Sequence, residues 1–540
     1  MIGSRRLSPT TLWIAGLLIA YFASRLAALT VLPIFFDETG HIRWAIWISQ
    51  GQKIEKPWQY GKGLPIFANA LLFPWARDHY LWASRGLTVL FGAGTLAGAI
   101  LLGRALGGPR AGWLSGLFYV VCPYALVYDR LALTDPALGT FAALVAVLCL
   151  RLAQRWRARD GVALGLVLAL AVFAKALGIL LFFSPAAAVL LIAPRRLRHP
   201  LPLIATYGVA GALTVYPLLR YFQVTATVRV AVSKSDASLL QRLAENLPLC
   251  ASWLWTYWTP VLIALAVFAL LRAAFLRARK VAFAALLIAV PIFAFAGVGD
   301  IWFPRYLVFL TAPFVALAAW GADQIATAVE GRSPGRARAM TTAGLVVALL
   351  PAARADWDLL MDPSRANLVE IDRFQYVTGW PSGYGVRDTL DFVRAEKALH
   401  PEGITVVTHA RTVRTTARAL DLEFADKPEV RVEDLNFDQP DGALPLLVEW
   451  AQARPTLVVI EPPQGKSRRP DPALFAGLEG VLAARTFKPD GSLCDEIYRL
   501  CGGARCRNVS GLPYSGTFLA RGGAGSGGAS GRGAVRYTSR

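Results

Sequence analysis

Apolar stretches of about 20 residues recur from the N-terminus to about residue 353, and each is long enough to cross a bilayer. The first is too long for a signal peptide and lacks a small-residue cleavage site, so we expect a retained helix. The pattern predicts about eleven membrane-spanning helices. They lie at about 11–35, 82–103, 111–128, 132–150, two within 161–193, 201–222, 250–271, 281–298, 303–321 and 341–353.

Loops rich in Arg and Lys alternate along the chain with loops that contain acidic or other polar residues. With eleven spans every dense basic loop falls on one side, which is the pattern of cytoplasmic loops. We therefore predict a multi-pass protein of the inner or plasma membrane, with a cytoplasmic N-terminus. The basic loops contain Arg104, Arg110, Arg151, Arg155, Arg157, Arg159, Arg195, Arg196, Arg198, Arg272, Arg277, Arg279, Lys280, Arg332, Arg336 and Arg338.

Composition agrees with a membrane protein. Hydrophobic residues make up 55% of the chain and charged residues only 17%, which is too little charge to cover a soluble domain of this size. The net charge of +20 raises the question of a nucleic-acid partner. Because the basic residues cluster in the short loops between apolar stretches, membrane topology explains the excess, and we predict no nucleic-acid partner.

Residues 37–81 form no full span in this topology and lie outside the membrane. The pieces "HIRWAIWISQ" and "GLPIFANALLFPWA" place apolar residues on one helical face, with tryptophans beside them. Such amphipathic helices lie in the membrane interface. We expect two interfacial helices that roof a cavity beside Asp37.

The character of the sequence changes near residue 355. Helical spacing in "VRDTLDFVRAEKAL" and "ALPLLVEWAQA" alternates with β-branched runs in "ITVVT", "EVRVED" and "PTLVVIE". This alternation predicts a small α/β domain with a parallel sheet. We therefore divide the chain into a transmembrane domain (1–354), an extracytoplasmic α/β domain (355–515) and a disordered Gly-rich tail (516–540).

Three of the six cysteines, Cys494, Cys501 and Cys506, cluster near the C-terminal end. Two of them would form a disulfide in an oxidising compartment. A metal site made of cysteines alone would need a fourth ligand, and the sequence offers none.

Acids and bases gather at the outer ends of the predicted helices. Any one of them is explained as a helix cap or a side chain that reaches the interface, but the set suggests chemistry. A carboxylate can deprotonate an acceptor, and several cations can hold a phosphate as it leaves. Lys175, within the apolar run "LAVFAKALGILLFF", has no packing reason to be there. The set comprises Asp37, Glu38, Lys62, Asp129, Arg130, Asp135, Lys175, Asp300, which lies outside the residues that the structure describes, and Arg305.

Five segments carry a family resemblance in the same chain order. They are "FFDETGHIRWA", "YGKGLPIF", "YDRLALTDPAL", "LAVFAKALGI" and "FPRYLVFLTAPF". Together they resemble the GT-C superfamily of polyprenyl-phosphate-sugar glycosyltransferases, over about residues 10–320. The nearest branch contains the protein O-mannosyltransferases and the lipid A aminoarabinose transferase. The expected fold is a GT-C-like polytopic α-helical membrane protein with a C-terminal extracytoplasmic α/β domain.

The resemblance implies inverting transfer of a sugar from a polyprenyl-phosphate donor to a lipid, glycan or protein acceptor on the extracytoplasmic side. Asp37 would take the acceptor's proton, and Glu38 would orient the acceptor or support Asp37. The donor phosphate would be contacted by Lys62, Arg130, Lys175 and Arg305. Asp135 would position Arg130 or only cap a helix. Supporting positions are His41, which otherwise packs or caps, Tyr60 and Tyr306.

The chain departs from the family pattern at one place. Some relatives carry a Glu shortly before the Lys-Pro segment, where this chain has Tyr60 and Gly61, and Gly63 separates Lys62 from Leu64. The departure leaves open how the acceptor is held and whether a divalent cation takes part; the sequence implies no certain cofactor.

Two other functions share parts of this pattern. A secondary transporter would place charges at the middle of the membrane and contain internal repeats. The charges here favour one face, and we find no repeat. A flippase for lipid-linked glycans would share the phosphate-binding cavity and stays an alternative.

Overall fold

The structure of the protein is a computed structural model that describes residues 9–76, 79–220, 238–298, 303–330, 334–409, 415–462, 475, 478 and 480–500. The chain divides by its internal contacts into two units. The first unit comprises residues 1–31 and 41–372, and the second comprises 32–40 and 373–540. The predicted boundary at residue 354 stays a prediction, as does the end of the soluble domain at 515.

The first unit is helical, and short 3₁₀ turns at Phe73–Trp75, Ala176–Leu181, Pro194–Arg198 and Pro304–Leu310 interrupt its helices. Its helices are α1 (Pro9–Leu26), α2 (Phe36–Ser49, which begins in the second unit), α3 (Lys56–Gln59), α4 (Gly63–Leu72), α5 (Tyr80–Gly107), α6 (Pro109–Val120), α7 (Pro123–Asp129), α8 (Asp135–Arg155), α9 (Ala158–Ala174), α10 (Ser184–Ile192), α11 (Leu201–Arg220), α12 (Leu239–Trp258), α13 (Pro260–Leu276), α14 (Arg279–Val298), α15 (Thr311–Glu330), α16 (Pro334–Met361) and α17 (Glu370–Arg373). The two helices predicted between residues 37 and 81 are present as α2 and α4.

Several of these helices are long and apolar enough to cross a membrane. Among the described residues there are five, at α5, α8, α11, α14 and Pro304–Glu330, or up to seven if each of two bent pairs counts as one span. The bent pairs are α6 with α7, at 61°, and α12 with α13, at 111°. A mostly helical architecture with several candidate spans is therefore confirmed, while the count of about eleven spans stays a prediction.

Two predicted spans, 111–128 and 250–271, are not continuous helices. Each breaks immediately before a proline, at Cys122–Pro123 and at Thr259–Pro260. Proline has no N–H to donate and clashes with a helical conformation at the residue before it. Cys122 is accordingly extended (φ −85°, ψ 116°), and Thr259 has φ 62° and ψ 145°. The first helix is also shorter than expected and ends at Leu26.

A buried polar group lies where α1, α5 and α7 meet. Asp129 accepts hydrogen bonds from the hydroxyls of Tyr21 and Tyr119, each at 3.1 Å, and lies 3.8 Å from the Arg25 guanidinium. Arg25 in turn donates to the carbonyls of Val120 and Tyr119 at the end of α6. The Tyr119 carbonyl also accepts from the Cys122 N–H at 3.3 Å, and the buried arginine gives both carbonyls a donor where the helix ends.

Gly92→Ala is expected to destabilise the protein, because a Cβ at residue 92 would overlap the Tyr21 hydroxyl and the Asp129 carboxylate. Overpacking of this kind costs about 1–3 kcal/mol. The apparent Tm in detergent should fall by several degrees, measured by size-exclusion chromatography after heating. Gly86→Ala in the same helix is the matched control, since a Cβ there meets no described atom within 4 Å. Equal Tm values for the two variants would contradict this account.

The second unit is built on a five-stranded sheet of order β2-β1-β3-β5-β4. Strands β1 (Ile404–His409), β2 (Val430–Leu435) and β3 (Thr456–Ile460) are mutually parallel, while β5 (Leu493–Leu500) pairs antiparallel with both β3 and β4 (Val481–Phe487). The prediction of a parallel sheet holds for the first three strands and is wrong for the two pairings of β5. Only five residues, 488–492, join β4 to β5, and so short a turn cannot make a parallel crossover.

Helices cover both faces of the central strands. Helices α18 (Val386–Leu399) and α19 (Thr415–Glu423) pack on the face that contains Val406 and Val459, and α20 (Pro440–Ala453) packs on the face that contains Val407 and Val458. Burial on both faces explains the continuous β-branched runs in the sequence. Cys494 is buried in β5, and among the described cysteines it forms no disulfide. Cys501, Cys506 and the Gly-rich tail 516–540 lie outside the described residues.

Candidate functional site

Lys175 lies at a break between two helices of the first unit. Helix α9 ends at Ala174, and Lys175 is extended (φ −158°, ψ 135°) before the chain continues as a 3₁₀ turn. Gly178 permits this tight turn, because a Cβ there would overlap the backbone of Ala171. The Lys175 side chain is buried, so it requires partners.

The partners of Lys175 come from two other segments. Its ammonium forms an ion pair with Asp135, in the first turn of α8, where the helix dipole favours a carboxylate. The same ammonium lies 4.3 Å from the ring centroid of Tyr306. Asp135 therefore pairs with Lys175 in this structure and not with Arg130, which was one of the two roles expected for it.

Arg305 shares the Tyr306 ring with Lys175. It lies in the 3₁₀ turn Pro304–Leu310, and its guanidinium is 5.7 Å from the Tyr306 ring and 4.9 Å from the Phe303 ring. The side chain is buried. Arg305 and Lys62 are both close enough to Lys175 for their charges to act on it. The structure thus gathers three of the four cations expected to bind phosphate.

Lys62 contacts His41, and its loop contacts the loop of Lys175. The Nδ1 atom of His41 lies 3.1 Å from the carbonyl oxygen of Ala132, and the Nε2 atom lies 3.1 Å from the Lys62 ammonium. A carbonyl oxygen only accepts, so Nδ1 must donate, and Nε2 is then free to accept from Lys62. Beside Lys62, the carbonyl of Gly61 accepts from the N–H of Ala176 at 2.8 Å. That hydrogen bond joins the loop of Lys62 to the loop of Lys175.

Tyr60 has a more peripheral place. About half of its side chain is exposed, and its ring stacks on Trp44 with the centroids 5.6 Å apart. The Trp44 ring also lies 6.0 Å from the imidazole of His41. Tyr60 therefore borders the same loop but touches none of the cations in a contact that the structure describes.

Arg130 has different neighbours from the other three cations. Its guanidinium donates to the carbonyls of Ala27 and Ala28, at 2.9 and 2.6 Å. The charges that act on it belong to Arg85, Arg25 and Asp356. The structure therefore places Arg130 where it holds the chain that follows α1.

Asp37 and Glu38 lie in the first turn of α2 and belong by contacts to the second unit. Glu38 is buried, and its Oε2 atom accepts from the N–H of Phe35 at 2.8 Å, which is the return bond of a capping box. Asp37 is partly exposed.

The segment that carries this acid pair is held by residues far along the chain. The Phe36 N–H donates to the carbonyl of Pro381 at 3.0 Å, and its ring lies 5.0 Å from that of Trp380. The Arg418 guanidinium covers the Phe36 ring at 4.0 Å. These contacts fix the N-terminus of α2 within the second unit.

One buried carboxylate was missed from the sequence. Asp372 accepts hydrogen bonds from the hydroxyls of Tyr128 and of Tyr257, the latter at 2.5 Å. Burial raises the pKa of Asp372 to about 6, against the opposing effects of the two tyrosines and the charge of Arg305. Nothing in "VEIDRFQ" distinguishes Asp372 from a surface acid, because its partners come from distant helices.

The residues that the structure describes contain no group of three or more His, Cys, Asp or Glu side chains placed to hold a metal ion. The divalent cation that the sequence left open stays a prediction.

Comparisons with known proteins agree with this arrangement. The model of the family described as dolichyl-phosphate-mannose-protein mannosyltransferase matches residues 70–221, which include Arg130, Asp135 and Lys175. None of the curated proteins compared with the chain matches it.

Three solved structures share the fold. ArnT from Cupriavidus metallidurans in the apo state has a TM-score of 0.52 and 16% identity, with 91% of this chain and 98% of that chain covered. ArnT bound to undecaprenyl phosphate has a TM-score of 0.52 and 15% identity, with 91% and 97% covered. The oligosaccharyltransferase of Archaeoglobus fulgidus in the apo form has a TM-score of 0.50 and 11% identity, with 83% and 69% covered. The family match over residues 70–221 and the shared fold confirm the predicted resemblance to the GT-C glycosyltransferases.

Proposed function

We propose that this protein transfers a sugar, with inversion, from a polyprenyl-phosphate donor to an acceptor on the extracytoplasmic side of the membrane. The observation that carries the proposal is the buried Lys175–Asp135 pair beneath Tyr306, with Arg305 and Lys62 close enough to act on Lys175. A transmembrane protein rarely buries several cations together unless an anion joins them.

The cations are the proposed phosphate-binding residues. In a buried site with a low local dielectric, Lys175 and Arg305 hold the donor phosphate and stabilise the charge that develops on its leaving oxygen. Asp135 balances Lys175 while no donor is bound, since an unpaired buried ammonium is costly. ArnT, with the same fold, has been solved with undecaprenyl phosphate bound, which supports a lipid phosphate as the ligand here.

Lys62 and Arg130 complete the proposed donor contacts. His41 accepts from Lys62 and so orients its ammonium, which makes His41 a positioning residue. Arg130 would need to give up its carbonyl partners at Ala27 and Ala28 to reach a phosphate, so its part in binding is the least supported by geometry.

The acid pair supplies the proposed base. Asp37 removes the proton from the acceptor's hydroxyl or amine, and Glu38, as the cap of α2, holds that turn in place. The acceptor atom bonds to the anomeric carbon on the face opposite the phosphate. The bond from that carbon to the phosphate oxygen breaks, its electron pair leaves with the polyprenyl phosphate, and the configuration inverts.

The acceptor is a lipid, a glycan or a protein. The α/β unit, proposed to be extracytoplasmic, is the part that would select it.

The experiment that tests the proposal uses purified full-length protein in proteoliposomes with a labelled polyprenyl-phosphate sugar and membrane extract as the source of acceptor. We expect labelled product and an equal amount of released polyprenyl phosphate, with the opposite anomeric configuration in the product. Retention of configuration would overturn the inverting mechanism. Solute flux in proteoliposomes without any lipid donor, together with no transfer, would instead favour the transporter alternative.

A further inference from the structure

Asp372 has an unusual environment for a carboxylate. It is fully buried, and its Oδ2 atom accepts from both Tyr128 on α7 and Tyr257 on α12. Its Oδ1 atom has no hydrogen-bond partner among the described residues. A carboxylate held by two neutral donors keeps its negative charge unpaired, so its field extends to whatever lies near it.

What lies near it is the segment of Arg305. Tyr124 stacks on Tyr257 with the ring centroids 5.1 Å apart and meets Tyr128 edge to face at 5.4 Å. The Tyr124 hydroxyl donates to the carbonyl of Pro304, directly before Arg305. Asp372 and Arg305 are thus attached to one cluster of three tyrosines, and each carries a charge that acts on the other.

Tyr124 lies close enough to both Asp372 and Asp135 for their charges to act on it. Among the described residues, the groups that interact with Asp372 include Tyr124 and Tyr128 on α7, Tyr257 on α12 and Arg305 on the 3₁₀ turn. Arg305 is the cation among them, and it is one of the proposed phosphate ligands.

We infer that Asp372 is a positioning residue that acts through Arg305: its negative charge opposes the positive field of the phosphate site and so weakens the hold of that site on the released polyprenyl phosphate. This inference rests on the proposed function. A phosphate site made of several buried cations can bind the released polyprenyl phosphate so tightly that product release slows turnover. Affinity that is the same for the donor and for the transition state does not raise kcat. A fixed negative charge that does not itself contact the phosphate weakens the binding of the released polyprenyl phosphate.

The inference gives a definite dependence on pH. With a pKa of about 6, Asp372 is neutral at pH 5 and ionised at pH 8. Its opposing charge develops as the pH rises through about 6, so for a given charge state of the phosphate the affinity for polyprenyl phosphate should fall over that range. The phosphate's own second ionisation lies near pH 6 as well. It is common to wild type and variants, so the ratio of their dissociation constants isolates Asp372.

The experiment measures binding of a short-chain polyprenyl monophosphate to full-length wild type and Asp372→Asn in nanodiscs, from pH 5 to pH 8. We expect equal Kd values at pH 5 and about 3- to 10-fold tighter binding by Asp372→Asn at pH 8. Asp372→Glu, which keeps the charge, should retain the wild-type dependence. In transfer assays at pH 8, Asp372→Asn should lower both KM for the donor and kcat, if release of the lipid phosphate limits turnover.

A second variant keeps the test decisive if Asp372→Asn does not fold. Tyr128→Phe removes a hydrogen bond that favours the ionised form of Asp372, so the pH at which affinity declines should move upward. A Kd ratio of one at every pH for Asp372→Asn, or an unmoved decline in Tyr128→Phe, would overturn the inference while leaving the proposed function intact. Absence of binding by wild type would overturn the proposed function, and the inference with it.

Discussion

Asp37→Asn is expected to reduce sugar transfer by about 10²–10⁴-fold, the usual contribution of a general base. The amide keeps the size of the side chain but cannot accept the acceptor's proton. Because Asp37 is partly exposed and lies at the N-terminus of α2, we expect the fold to tolerate the change. Transfer is measured with the labelled polyprenyl-phosphate sugar, and binding of polyprenyl monophosphate should stay near wild type.

Glu38→Gln is the matched control, because it makes the same chemical change one residue further along. A glutamine at the third position of the helix can still accept from the Phe35 N–H, so the cap survives. We expect transfer to fall by less than about tenfold, since Glu38 only orients its neighbour. If Glu38→Gln abolishes transfer and Asp37→Asn does not, the base is Glu38, and our assignment of Asp37 is wrong.

The sequence reveals those parts of the site that interrupt a local pattern. A lysine inside "LAVFAKALGILLFF" contrasts with its apolar neighbours, and the structure places it at a helix break, paired with Asp135. The strands β1 to β3 were equally visible, because burial on both faces leaves an unbroken β-branched run.

Other features depend on residues that are far apart in the chain. Asp372 meets Tyr128 and Tyr257 only after three segments pack together, and no spacing within any one of them signals the cluster. The position of the Asp37 segment also depends on distant residues. Pro381 and Arg418 contact Phe36, and by its contacts the segment belongs to the second unit.

Proline breaks the helix within two of the predicted spans. The stretches 111–128 and 250–271 are apolar enough to span a bilayer, yet Pro123 and Pro260 break them. The prolines were visible in the sequence, but the length of the apolar stretches was given more weight.

The β4–β5 hairpin was not predicted, because the sequence of β4 gives only a weak strand signal. Its strand β4 is largely exposed and shows little alternation, although Gly491, with φ +80°, marks the turn.

Lys175→Met is expected to abolish transfer, with a loss of about 10²–10³-fold from the missing phosphate contact. The substitution has a second effect, because it leaves the buried Asp135 without its ion-pair partner. Breaking a buried pair in this way costs about 3–5 kcal/mol of stability. Transfer alone therefore cannot distinguish a phosphate ligand from a structural lysine, and thermal stability must be measured beside it.

The double variant Lys175→Met with Asp135→Asn separates the two roles. Removing both charges relieves the unpaired carboxylate, so the apparent Tm should return most of the way to wild type. If Lys175 binds the donor phosphate, transfer and binding of polyprenyl monophosphate stay lost in this restored protein. Asp135→Asn alone should keep binding, because the phosphate itself then balances the Lys175 ammonium beside the Tyr306 ring. Recovery of transfer along with stability in the double variant would show that Lys175 serves only to neutralise Asp135, and the proposed phosphate site would lose its central residue.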